Sequence, residues 1–322
     1  MTYRQYMNRY SSNYWPKQST MIHALICPVC SNTLSIDKAS LAKYKSLSCA
    51  QGHLFDYAKQ GYLNLLLSQH KKSKHPGDTL KMVQARTHFL DQGFYDSISH
   101  FLLNECIDKN LPSLPKTSDT KNSTQVLSYL DLACGEGFYT HKVHDYLRHN
   151  TLEKSQYDSL VCTGIDISTP AIKAACHRSK EIQWLISSLA RIPLADNSQD
   201  LVTGLFFHFD LAEVARILKQ DGYFIMATTG PNHLIELREQ IYDKVKEEKL
   251  KDFSGINNGL SHSKTLSLKT SQSLDSSEDI LSLLAMTPHY WRCTQEKKQG
   301  LEALPKLELT LDIQFDIFIK NN

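Results

Sequence analysis

The stretch 126-VLSYLDLACGEGFYTHKVHDYLR-148 decides the fold. Residues 126–133 have the mixed apolar character of a buried strand, and Cys134-Gly135-Glu136-Gly137 follows at once. From Tyr139 onward helical spacing resumes through Val143, Tyr146 and Leu147. Strand, glycine turn and helix are the opening of a doubly wound α/β nucleotide site. The glycines allow a ligand to approach the backbone closely at the mouth of the sheet.

Working outward, 161-VCTGID-166 reads as a second strand ending in Asp166. Ser168-Thr169-Pro170 then supplies cap and first-turn chemistry for a helix over 171–178. A carboxylate closing that strand can accept both ribose hydroxyls of an adenosine. The spacing from Gly137 to Asp166 exceeds the usual ~20 residues, and the polar residues 149–158 accommodate the excess as an insertion. Segments 184–188, 200–207 and 222–228 read as further strands, giving a mostly parallel sheet. A phosphate-binding turn needs a third glycine near position 140, where Thr140 stands. The turn therefore suits S-adenosylmethionine, which has no phosphate, better than a dinucleotide.

Toward the N-terminus, Cys27-Pro-Val-Cys30 is followed by Cys49-Ala-Gln-Gly-His53. Each half has the spacing at which two side chains reach one metal, and Gly52 permits an unusual backbone angle between the second pair. Three thiolates and one imidazole close a tetrahedral shell, as a structural zinc site requires. The neighbours are small and polar, so the metal supplies much of the folding energy of this small ribbon. The other five cysteines, Cys106, Cys134, Cys162, Cys176 and Cys293, read as small buried thiols.

Charge is unevenly spread. Residues 1–90 carry 12 Lys and Arg against 3 Asp and Glu, whereas the remaining 232 carry 24 against 31. A basic end on a mildly acidic body points to a polyanionic partner. Within it, 69-QHKKSKHPGD-78 cannot bury itself, and Lys71, Lys72 and Lys74 suit phosphate contacts that position RNA without reading its sequence. A helix is expected from about Thr79, with Leu80, Val83, Phe89 and Leu90 buried, ending at Gly93 just before Tyr95. No long apolar run is present and no signal-peptide core precedes residue 30, so a membrane span is excluded and the expected address is the cytoplasm. Residues 113–125 read as a linker. The polar first 20 residues and the Ser-rich 254–279 read as mobile surface.

The order of these pieces resembles the 23S rRNA (guanine-N1)-methyltransferases. The resemblance is carried by 27-CPVC-30, 49-CAQGH-53, 55-FDYAKQGYLNLL-66, 69-QHKKSKHPGD-78, 84-QARTHFLDQGFY-95, 131-DLACGEGFYTH-141 and 230-GPNHLIEL-237. It implies a Rossmann-like class I methyltransferase domain of the α/β class with a small N-terminal zinc ribbon that helps recognise an rRNA hairpin. The expected division is a polar tail over 1–25, the ribbon over 26–60, a basic loop, helical connection and linker over 61–125, and the methyltransferase domain over 126–322. By matching motif positions, the resemblance implies zinc on Cys27, Cys30, Cys49 and His53, and S-adenosylmethionine against Tyr95, Gly135, Glu136 and His233. Gly137 belongs to the same turn, and Asp166 is added by the strand-end argument. Two positions depart from the family: Ala133 stands where glycine is usual, and Phe206-Phe207-His208-Phe209-Asp210 replaces an aromatic-Ala-Pro-Cys sequence.

The expected reaction is methyl transfer to N1 of a guanine in a 23S rRNA hairpin. That nitrogen carries a proton on the Watson–Crick edge, so the base must be unpaired or extruded and a general base must take the proton. Asp210 and His208 are the candidate bases, Asp210 with helix capping as the competing role, and Phe206, Phe207 and Phe209 are candidate stacking partners. No membrane partner is expected, and a homodimer is compatible with the sequence. Two rival readings are a small-molecule methyltransferase, which has no use for the ribbon or the basic end, and a non-catalytic RNA-binding protein.

Overall fold

The computed structural model describes residues 24–36, 46–71, 73, 76–110, 125–152, 157–246, 250, 252–253, 255 and 258–321. Lys72, Lys74, the first 20 residues and most of the linker at 113–125 lie outside them. Three short strands, β1 (Ser35–Ile36), β2 (Ser46–Ser48) and β3 (Leu54–Asp56), form an antiparallel sheet of their own. An eight-stranded sheet makes up the body. Its strands are β4 (Leu63–Asn64), β5 (Val126–Leu132), β6 (Ser159–Asp166), β7 (Gln183–Ile186), β8 (Gln199–Leu205), β9 (Leu218–Thr229), β10 (Leu260–Leu274) and β11 (Leu307–Lys320).

The spatial order is β10-β11-β9-β8-β5-β6-β7-β4, parallel from β9 to β4 and antiparallel at the β9–β11 and β11–β10 pairings. The chain leaves β5 in one direction to β6 and returns on its other side to β8. That reversal opens a crevice at the carboxyl ends of β5, β6 and β8, where α/β sheets place ligands. Helices α1 (Leu80–Asp91) and α2 (Asp96–Phe101) precede β5. The crossovers are α3 (Phe138–Leu147), α4 (Thr169–Arg178) and α5 (Leu211–Ile217), and α6 (Ile235–Ile241), α7 (Ser277–Met286) and α8 (Gln295–Glu302) follow β9.

Local chemistry fixes the starts of these helices. Thr79 accepts the Met82 N–H, Ser168 accepts the Ala171 N–H with Pro170 in the first turn, and Ser276 accepts the Asp279 N–H. Leu80, expected in the core, opens α1 and is exposed. Among the scattered cysteines, Cys106, Cys162 and Cys176 are buried, while Cys134 and Cys293 are only half-buried.

The reading of 254–279 as mobile surface is corrected. Residues Leu260–Leu274 form the edge strand β10, paired with β11 along its length, and Ser277 begins α7. Burial alternates along β10, with Leu266 and Leu268 packed on the core and the intervening serines toward solvent. Serine-rich composition concealed a period of two. Its neighbour β11 is buried on both faces, with Ile313, Phe315 and Ile317 fully enclosed.

The ribbon shares its core with the body. Leu25, Leu34 and Leu47 are buried in one cluster with Leu63, Leu185, Ile192 and Leu194. The Ile26 N–H donates to Pro193 O at 3.0 Å, and β4, unforeseen in the sequence, adds to the sheet edge beside β7.

Candidate methyltransferase site and zinc centre

The four ribbon residues converge. One ligand atom from each of Cys27, Cys30, Cys49 and His53 lies within 4.8 Å of the others. Cys30 Sγ and Cys49 Sγ are 3.6 Å apart, and His53 Nδ1 is 3.6 Å from Cys27 Sγ and 3.3 Å from Cys49 Sγ. A tetrahedral zinc with bonds of about 2.3 Å to sulfur and about 2.0 Å to nitrogen sets such edges at about 3.5–3.8 Å. The donor set and its spacing fit zinc, and four protein ligands leave no position for a substrate.

At the carboxyl end of β5, Ala133 and Gly135 adopt left-handed backbone angles (φ 55° and 57°), and Gly137 begins α3 at φ 82°. The two glycines differ in role. A Cβ on Gly135 would meet only Arg86 Nη1, at 3.5 Å, so its face is the approachable one. A Cβ on Gly137 would strike Trp184 Cη2 at 2.6 Å and Ala175 at 3.2 Å, and its N–H closes the turn on Cys134 O. Gly137 therefore serves close helix–sheet packing, whereas Gly135 presents the open face of the turn.

Asp166 ends β6 beside this turn. Its carboxylate accepts the Gly135 N–H at 2.9 Å and the Ser168 N–H at 2.7 Å, which orient it and leave lone pairs over for ribose hydroxyls. Burial raises its pKa against those two hydrogen bonds. Below it, Asp131 accepts from Thr140 Oγ1 at 2.5 Å and Thr203 Oγ1 at 2.8 Å, tying β5, α3 and β8 together. Burial pushes this carboxyl up to about 7.

Glu136 is buried with one oxygen held by the Arg178 guanidinium, whose Nε donates to it at 2.8 Å. Its other oxygen, Oε1, is buried with no partner among the described residues, and so is the Tyr139 hydroxyl three residues on. Buried atoms of this kind require a ligand or water. An orphaned acceptor, an oriented carboxylate and an open glycine fit the ammonium and ribose groups of S-adenosylmethionine.

Across the crevice, Tyr95 packs edge-on against Phe89 at 5.1 Å and lies 6.3 Å from the His233 ring. His233 is set by the turn Gly230–Asn232, which is built on β11: Gly230 N–H donates to Asp312 O, and Asn232 N–H to the Asp312 carboxylate. The Asp312 N–H reaches His233 Nδ1 at 3.4 Å, so Nε2 carries the ring proton. Burial lowers the His233 pKa to about 3, with His289 and Arg238 contributing, which keeps the ring neutral and a donor.

The loop after β8 completes the site. Phe206 takes a left-handed backbone (φ 60°), with its ring 13° from parallel to His233 at 6.4 Å and 6.3 Å from Tyr139. Phe206 and Phe207 are exposed. Phe209 does not belong with them: it packs over Gly204 and edge-on against Phe224, filling the hole that glycine leaves. Asp210 caps α5 through the Ala212 N–H at 3.0 Å and is exposed, as is His208. Lys71 is exposed at the start of the basic loop. A shallow cleft lies between the ribbon residues Ile26–Pro28, the β4 end at Leu65 and Leu66, and the β7 end at Ser187 and Ser188.

Sequence reasoning did not single out Arg86 or Tyr139 as site residues. Arg86 was legible only as one cation in a basic segment and as part of 84-QARTHFLDQGFY-95. Its place over the turn depends on where α1 docks.

Sheet order, glycine turn and strand-end carboxylate, together with a Cys3His cluster, define a class I S-adenosylmethionine-dependent methyltransferase that carries a zinc ribbon. The family model described as "RlmA, N-terminal" matches residues 25–74, and that described as "Methyltransferase domain" matches 130–226. A protein of Micromonospora griseorubida named as a 23S rRNA (guanine-N(1)-)-methyltransferase is 30% identical over 233 residues, 71% of this chain and 74% of its own. One so named from Bacillus subtilis (strain 168) is 29% identical over 301 residues, covering 91% and 96%. The 23S rRNA (guanine(748)-N(1))-methyltransferase of Streptomyces fradiae is 24% identical over 313 residues, covering 93% and 98%. The chain belongs to the 23S rRNA (guanine-N1)-methyltransferase family.

Proposed function

We propose that this protein transfers a methyl group to N1 of a guanine in a 23S rRNA hairpin, acting in the cytoplasm. The observation that carries this reading is the gathering, at the carboxyl ends of the central strands, of Asp166 and Gly135 with the exposed aromatic Phe206 and the proton-donating His233. S-adenosylmethionine, when bound, supplies a methyl group already activated on a sulfonium. The protein's work is therefore alignment.

Asp166 would hold the ribose hydroxyls, Glu136 Oε1 would accept from the ammonium, and His233 Nε2–H would donate to the bound pair. Phe206 and Phe207 would stack on the extruded guanine, a contact that offsets its unstacking cost of a few kcal/mol. His208 and Asp210 are the titratable side chains on the acceptor loop, and the N1 proton would leave to one of them. The ribbon and the basic loop with Lys71, Lys72 and Lys74 would grip the hairpin backbone, a use that a small-molecule methyltransferase lacks.

The test is nucleotide-resolution mapping of N1-methylguanine in 23S rRNA from cells with and without the gene, backed by methylation of the isolated hairpin. A site whose methylation follows the gene is expected. An unchanged map would end the rRNA assignment.

A further inference from the structure

The crevice around the glycine turn is lined by carboxylates. Asp166 accepts the Gly135 N–H, Asp78 is tied to Ser168 through its carbonyl, and Glu136 sits within the turn itself. Such a lining suits the sulfonium and the ammonium of S-adenosylmethionine, but the α-carboxylate of the same molecule needs a cation.

Three cations come near among the described residues, and they differ in which face of the turn they reach. Arg178 Nε donates to Glu136 Oε2 at 2.8 Å and lies 3.3 Å from Glu136 O, its Nη1 donates to Asp91 at 2.9 Å, and its Nη2 to Glu136 again. Lys142 donates to Asp96 at 2.8 Å and sits 4.8 Å over the Phe138 ring. Arg86 differs. Reaching in from α1, it uses Nη1 on the Asp78 carboxylate and Nη2 on Met286 O at 3.2 Å. The same Nη1 lies 3.5 Å from where a Cβ on Gly135 would stand, over the approachable face of the turn. A guanidinium has five N–H groups in a planar fork, so three remain for a carboxylate.

We infer that Arg86 receives the α-carboxylate of S-adenosylmethionine and that Asp78 holds it in place for that task. The inference rests on the methyltransferase reading above. Asp78 is a positioning residue with a second attachment. It ends the basic loop, its carbonyl accepts from Ser168 Oγ at 2.8 Å, and Gly77 lies so close that a Cβ there would meet Ser168 Cβ at 2.7 Å. Ser168 caps the helix that follows Asp166. One ion pair thus joins the RNA-facing loop to both ends of the cofactor site.

The test compares two ligands by calorimetry: S-adenosylhomocysteine, which has the amino-acid moiety, and 5′-methylthioadenosine, which lacks it. In Arg86→Gln the affinity for S-adenosylhomocysteine should fall about 10–100-fold, the range for a charge-assisted hydrogen bond, while methylthioadenosine binding stays within about twofold. Arg86→Lys should recover part of the loss, and Asp78→Asn should show a smaller loss, again confined to S-adenosylhomocysteine. Equal losses for both ligands, or no loss for either, would overturn the assignment. A parent chain that binds neither ligand would instead overturn the methyltransferase reading itself.

Discussion

At Gly137 a single hydrogen atom separates a working turn from a clash. The residue sits at φ 82°, and an added methyl group would lie 2.6 Å from Cη2 of Trp184, a side chain held in the core by its Nε1–H bond to Ser179 O. Gly137→Ala should therefore cost on the order of 2–4 kcal/mol from backbone strain and overpacking together, read as a lower denaturant midpoint. Asp131 offers a second residue-scale outcome. Its carboxyl titrates near 7 in the folded chain because of burial, and near 4 when unfolded. The native state keeps a proton that the unfolded state releases, so this group's contribution is full below pH 4 and is lost as pH climbs through 7. Asn at this position cannot titrate. With zinc held constant, unfolding free energy should drop less in Asp131→Asn than in the parent between pH 5 and pH 7.5, and equal slopes would show that Asp131 is ionised in the native chain.

The elements divide by what holds them. Strands β1, β2 and β3 have two or three residues each, too few to persist through their own ladders. Metal and the Leu25–Leu47 contacts with the body hold them instead. Chelation should release one zinc per chain and melt the ribbon as a separate low-temperature transition, followed by metal analysis and calorimetry; a ribbon that melts unchanged without metal would contradict this. The antiparallel β10–β11 pair is the opposite case, built on apolar burial. Ile317→Ala at the doubly covered β11 should cost about 2–5 kcal/mol in unfolding experiments. That pair matters to the site because β11 carries Asp312, on which the turn holding His233 is built.

For the whole molecule, the question is how a cationic end serves a reaction in the crevice. The ribbon is docked onto the loop after β7 through Leu25 and Leu194, and the basic loop returns to the crevice at Asp78. On the proposed function, RNA gripped by lysines at 71–74 would be delivered to the end of the crevice where Phe206 and Phe207 are exposed. A Lys71/Lys72/Lys74 triple Ala variant should weaken hairpin binding and reduce the slope of log affinity against log salt by about 2–3, with S-adenosylhomocysteine affinity unchanged. An unaltered salt slope would remove these lysines from the RNA contact.

By itself the sequence determined the parts whose signals are local. Two cysteine half-sites show their ligand spacing directly, and the strand–glycine–helix run shows its period within 23 residues. Caps at Ser168 and Asp210 follow from hydrogen bonds two or three residues long. Tertiary structure decided what depends on partners far along the chain. Arg86 faces Gly135 across 49 positions, Trp184 makes Gly137 a packing residue, and β11 turns a serine-rich segment into an edge strand. The physical reason is that a side chain's local period records which way it points, whereas what it meets there is set by the docking of elements that only the collapsed core holds together.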